Sequence, residues 1–142
     1  MRSIITESFI YIFNPWSDGE RKYGNNNEGR TMAAMLEAAR TDPEIARRCE
    51  LFRKRVEEEL YDIQNDPEGL HNLIDNPDYA KVHNMMAKKM RKLMIESQDP
   101  VLEIFDHRHN PEKLLKSFYK VYPGAIEADK DKAYYSLKSA SY

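Results

Sequence analysis

Four histidines, one cysteine and a scatter of acidic residues are the groups in this chain whose chemistry could matter. His107 and His109 stand one residue apart, a spacing that suits zinc only on a strand, where both rings point the same way. They lie in Asp106-His107-Arg108-His109-Asn110, just before an expected helix start, with no cysteine near to complete a site. They read as solvated loop histidines, and no metal site is expected. Acid–base catalysis by paired carboxylates needs burial to separate their pKa values. Glu57-Glu58-Glu59 reads instead as the solvated end of a helix. The glycines at 19, 24, 29, 69 and 124 form no phosphate-binding loop, because no lysine and serine follow them in the required order.

Cys49 is followed four residues later by Arg53, through Glu50, Leu51 and Phe52. It falls on a helical apolar stripe with Ile45 and Phe52, which predicts a buried structural thiol. Trp16, with Arg21, Lys22 and Tyr23 nearby, has two readings. It is an aromatic-basic contact for a sugar or sulfate, or a tryptophan that packs its loop onto the domain. These residues supply no catalytic group. Trp16, Arg21, His107 and Arg108 are the candidates for a substrate rim or a domain interface.

The frame for these residues is one domain of 142 residues, long enough to bury about two-thirds of its unfolded surface. The net charge of −2 gives no global field for nucleic acid or an anionic membrane, so polyanion binding must be local. A single cysteine excludes an internal disulfide. The opening Met1 to Glu7 meets an acidic residue before a signal-peptide core can form, and the Phe9–Phe13 run is far short of a membrane span.

Ile4-Ile5 and Phe9–Phe13 read as two strands broken at Thr6-Glu7-Ser8, and Asn14-Pro15 stops the second. Residues 16–29 read as a polar surface loop. Met32, Met35, Leu36 and Ala39 share one helical face. A second helix starts at Thr41-Asp42-Pro43-Glu44, read as a capping box, with Ile45, Cys49, Phe52 and Val56 as its stripe. Glu59–Ile63 reads as a strand. A long amphipathic helix follows from Asn76-Pro77 to about Ser97. Its predicted buried face is Tyr79, Val82, Met86, Met90, Leu93 and Met94, with Lys81, Lys88, Lys89, Arg91 and Lys92 opposite. A further helix is expected over 111–119, with a weakly periodic tail from Pro123. Six of the seven prolines follow Asp or Asn, a pairing that starts helices cleanly. The fold class is α+β: a small antiparallel sheet packed by a long amphipathic helix, with additional short helices.

One block resembles a known family. Glu59-Leu60-Tyr61-Asp62-Ile63-Gln64-Asn65-Asp66-Pro67-Glu68, then Asn72-Leu73-Ile74 and Asn76-Pro77-Asp78-Tyr79, resembles the carboxy-terminal end of sulfatases, whose long helix likewise ends near an Asp-Pro, here Asp99-Pro100. The Phe9–Ile12 run is similar to the family's hairpin, although Ile10 stands where lysine is usual. Asn14–Gly19 and Thr41-Asp42-Pro43 look more like the heparan N-sulfatase (sulfamidase) branch. The likeness spans residues 2–108 as a sulfatase carboxy-terminal subdomain, and 109–142 reads as a helical extension of the same domain without a family counterpart.

The resemblance implies a non-catalytic part of a hydrolase of sulfate esters or sulfamates on sugars, completing the fold and the rim of the substrate cleft. The parent's catalytic domain, with its formylglycine and calcium, would precede Met1 and be this chain's partner, with a sulfated glycan as a further one. No cofactor, nucleic acid or membrane partner is expected for the chain itself. Parent sulfatases are typically exported. Leu51 and Phe52 exclude Cys49 as a formylglycine precursor, because that signature needs Pro or Ala and then a small hydroxyl residue. The alternative is a free-standing helical interaction module that docks through its apolar strand pair.

Overall fold

The computed structural model describes residues 1–17 and 29–125, so the polar segment 18–28 and the tail 126–142 lie outside the described residues. The chain forms two compact units, Met1–Leu93 and Met94–Tyr142.

The first unit is built on a three-stranded antiparallel sheet in the order β1 (Arg2–Ile5), β2 (Phe9–Phe13), β3 (Glu58–Asp62). Thr6 closes the hairpin. Its N–H donates to Phe9 O at 2.9 Å, and its Oγ1 accepts the Phe9 N–H at 3.0 Å. Ile4 faces Tyr11, which faces Leu60 in turn. Strand alternation puts these three and Phe13 on one face, and all four are buried. The long helix α3 (Ala80–Glu96) supplies that face's partners. His83 stacks 5.6 Å from Tyr11, and Tyr79, in the 3-10 turn that leads into α3, meets Phe9 edge-on at 6.2 Å. Burying each of these large apolar side chains is worth about 1.5–3 kcal/mol.

The other face carries Ile5, Ile10, Ile12, Glu59 and Tyr61. Glu59 is 1% exposed, which corrects the expectation that Glu57-Glu58-Glu59 is a solvated helix end. The helix before it, α2 (Pro43–Arg53), has already ended, and the extended backbone turns Glu59 inward. Val56, beyond the end of α2, and Phe52, in its last turn, are exposed rather than part of a stripe, while Cys49 is buried as expected. The helix start is also refined. The Asp42 carboxylate, not Thr41, accepts the Glu44 and Ile45 N–H groups.

Before α2 lies α1 (Arg30–Ala38), anchored by buried Met32. On α3 the buried residues are Met86, Ala87, Met90 and Met94, and the predicted Leu93 is exposed at 52%. At 100° per residue, Leu93 falls on the margin of the stripe that the others define. No helix among the described residues is long and apolar enough to cross a membrane.

The second unit holds α4 (Leu102–Asp106) and α5 (Pro111–Val121). Its core is Met94, Val101, Ile104, Phe105, Leu114 and Phe118. Asp99 accepts the Val101 N–H at 2.9 Å and Asn110 accepts the Lys113 N–H at 3.1 Å. The Asn-Pro pair thus caps α5, whereas Asp99-Pro100 forms the turn before α4, whose N-cap, Val101, makes no side-chain cap bond.

Candidate functional site

Helices α4 and α5 enclose a cleft lined by Glu103, His107, Lys113, Lys116, Ser117 and Lys120. Positions 113, 116 and 120 recur at helical spacing, so three ammonium groups share one side of α5. The buried Ser117 lies between them in sequence, 3% exposed. His107 sits in the turn after α4, with Nδ1 2.9 Å from Ser117 Oγ. Ser117 Oγ donates to Glu103 Oε1 at 3.3 Å, and Lys120 Nζ donates to Glu103 Oε2 at 2.7 Å. The Lys120 ammonium, bonded directly to it, holds the Glu103 carboxyl below its usual range, with smaller help from Ser117 and His107.

This grouping contains a serine, a histidine and a glutamate, but not in hydrolytic order. A serine nucleophile gives its proton to histidine, and the acid orients the ring's other nitrogen. Here the glutamate accepts the serine O–H as a hydrogen bond, so Nδ1–H of His107 donates to Ser117 and the hydrogen-bond series runs from histidine through serine to carboxylate. The hydroxyl is consumed by that series and buried. What the arrangement provides is a recess with three ammonium groups against one carboxylate.

The other candidates fall elsewhere. Arg108 stacks its guanidinium 4.3 Å from the Phe105 ring centroid and donates to Phe105 O at 3.1 Å, which ties it to the unit's own core. Trp16 is half-buried in the first unit, and Arg21 lies outside the described residues. His107 is half-buried and bonded, a correction to its reading as a solvated loop histidine, while His109 is exposed.

Side chains of the 58–74 block are engaged in bonds within the fold. Glu59 accepts from Arg55 at 2.6 Å, Asn14 at 2.6 Å and the Tyr61 hydroxyl at 2.5 Å. Burial first, then the Glu59 carboxylate, pushes the Tyr61 hydroxyl well above its ordinary pKa, which keeps it a donor. On the opposite face Glu58 accepts from the Tyr11 hydroxyl and lies 3.0 Å from His83 Nε2. Asp62 accepts the N–H groups of Gln64 and Asn65, turning the chain out of β3. Among the described residues no three His, Cys, Asp or Glu side chains come together as a metal-binding group.

No family model matches the chain. It is 39% identical over 59 residues to an ulvan-active sulfatase of Formosa agariphila, covering 42% of this chain and 12% of that protein. The chain carries a sulfatase-like segment. It is also 44% identical over 43 residues to an uncharacterized protein of Haemophilus influenzae, covering 30% of this chain and 22% of that protein. The chain thus spans less than a quarter of the length of either curated relative. The sulfatase it matches is named for ulvan, so the heparan N-sulfatase branch finds no support in that match.

Proposed function

We propose that this chain is a non-catalytic carboxy-terminal part of a sulfatase, a hydrolase of sulfate esters or sulfamates on sugars, in which it completes the fold and the rim of the substrate cleft. The reading rests chiefly on the 59-residue likeness to a sulfatase. The structure is compatible with it, because the block that carries the family resemblance is occupied with internal fastening. Its partner is then a sulfatase catalytic domain, where the formylglycine and calcium would reside. Trp16, Arg21, His107 and Arg108 are the rim or interface candidates. The finer assignment, to the heparan N-sulfatase branch, rests on the Asn14–Gly19 and Thr41–Pro43 segments alone.

The test is the reading frame around the gene combined with activity. An in-frame Cys/Ser-x-Pro/Ala-Ser-x-Arg signature upstream is expected, and the longer product should release sulfate from sulfated sugars. The 142-residue chain by itself should release none. Turnover by the chain alone that survives Cys49→Ala would overturn the reading. Comparing a sulfate ester with a sulfamate as substrate separates the branches.

A second reading, an interaction module docking through the strand pair, draws on the exposure of Ile5 (68%) on the outer strand β1. A frame without the upstream signature would favour it.

A further inference from the structure

The lysines of the α4–α5 cleft are distributed in a way that solubility alone does not require. The chain as a whole carries a net charge of −2, yet this recess gathers Lys113, Lys116 and Lys120 around a single acid. That acid, Glu103, is already engaged by Lys120 and by Ser117. No carboxylate among the described residues pairs with Lys113 or Lys116. Beneath them, the bonded series His107–Ser117–Glu103 fixes the floor, since the buried Ser117 hydroxyl is held from both sides.

We propose that this cleft binds a tetrahedral oxyanion, the sulfo group of a sulfated saccharide, between Lys113 and Lys116, over the floor fixed by His107, Ser117 and the Lys120-paired Glu103. The choice of ligand follows from the donors. Ammonium groups act as point charges that a tetrahedral oxyanion can meet from several directions, and the cleft supplies its positive charge through lysines alone. No phenylalanine, tyrosine or tryptophan lines it, and the one ring there, His107, is bonded to Ser117, so it offers nucleic-acid bases no broad stacking platform. Glu103 opposes an anion, but Lys120 at 2.7 Å offsets its charge, which leaves two lysines in excess. That the oxyanion is carried by a sugar rests on the sulfatase reading; the oxyanion site itself does not.

The test is calorimetric titration of the full 142-residue chain at low ionic strength with glucose 6-sulfate, sodium sulfate and unsulfated glucose. Glucose 6-sulfate is expected to bind in the millimolar range and more tightly than sulfate, with no binding of glucose. The double variant K113A/K116A should weaken binding roughly tenfold, the scale of losing two exposed charge contacts. Both lysines are exposed, and unchanged circular dichroism of the variant verifies its fold. The variant K81A/K88A, on the exposed face of α3, should bind as the unaltered chain does. Equal losses in both double variants, unchanged binding in K113A/K116A, or no binding up to about 50 mM would overturn the site. Equal affinity for sulfate and glucose 6-sulfate would overturn the saccharide as its source. None of these outcomes alters what the upstream reading frame says about the sulfatase assignment.

Discussion

Asn72 and Leu60 close the outer edge of the sheet: the Asn72 carboxamide oxygen accepts the Leu60 N–H at 2.9 Å. The next residue, Leu73, donates its own N–H to Leu60 O at 2.7 Å. Asn72 Nδ2 reaches Glu58 O at 3.3 Å. An unpaired strand edge is a template for unwanted pairing. On the β3 side, a single side chain and one backbone amide cover it.

Asn72→Ala is therefore expected to cost about 1–2 kcal/mol, because it leaves the Leu60 amide without that acceptor in a part-buried position. Urea unfolding followed by circular dichroism measures it. An unchanged midpoint would show that water replaces the carboxamide at no cost.

Glu59 makes a sharper case. It is almost wholly buried and collects donors from Arg55, Asn14 and Tyr61. Glu59→Ala strands all three, and because Arg55 keeps partial access to solvent, the loss is expected near the lower end for a broken buried pair, about 3 kcal/mol. Glu59→Gln, which keeps the shape and one acceptor, should lose less. Equal losses in the two variants would mean that the charge, which both remove, and not the packing that glutamine keeps, is what Glu59 supplies.

Much of this framework is legible in the sequence because it is local. The β-branched and aromatic run from Phe9 to Phe13, the apolar stripe of α3 and the Asp/Asn-Pro starts of α2 and α5 each declare themselves within one element. The heptapeptide-scale signals fail where a role is set at a distance. Glu59 sits in a run of three glutamates, and only its partners 45 residues away at Asn14 and four away at Arg55 reveal it as buried. Helix α4 has five residues, too few to display a period, and its N-cap, Val101, makes no side-chain cap bond that the sequence could announce. In the cleft, the spacing of Lys113, Lys116 and Lys120 is visible in the sequence. The bond from His107 to Ser117 depends on the turn that folds α5 back toward α4.

Acid should loosen the turn after β3. The Asp62 carboxyl is held below its ordinary value of 3.8, chiefly by the Asn65 side chain, against some opposition from burial, with backbone N–H groups of Asn65 and Gln64 helping. A depressed folded value contributes stability that is present above the ordinary value and lost as pH falls through the folded one. Glu103, depressed by Lys120, acts in the same direction. Asp62→Asn should destabilise at neutral pH, with the gap to the unaltered chain shrinking below about pH 4. A gap constant from pH 7 to 2 would refute the linkage.

Phe105 is wholly buried in the second unit and also carries the Arg108 guanidinium on its ring. Phe105→Ala should cost about 3–5 kcal/mol. Phe105→Leu, which keeps most of the volume but not the ring face, should cost much less. If the two variants lose equally, the cation–ring contact outweighs the cavity. Thermal unfolding of the pair decides between them.

Cys49 offers a test that needs no substitution. Its side chain is 2% exposed on α2, and its apolar setting gives it the character of a small hydrophobe. Arg53, one turn away, lies 3.7 Å from Glu50, so its charge is offset by that carboxylate. A reactive thiol needs exposure together with a positive neighbour that stabilises the thiolate. Cys49 lacks the exposure, so modification must wait for α2 to open. Labelling with an aromatic disulfide reagent should be slow in the native chain, immediate in denaturant, and should accelerate with denaturant in step with unfolding. Prompt stoichiometric labelling of the native chain would place the thiol at the surface and reopen the question of a chemical role for it.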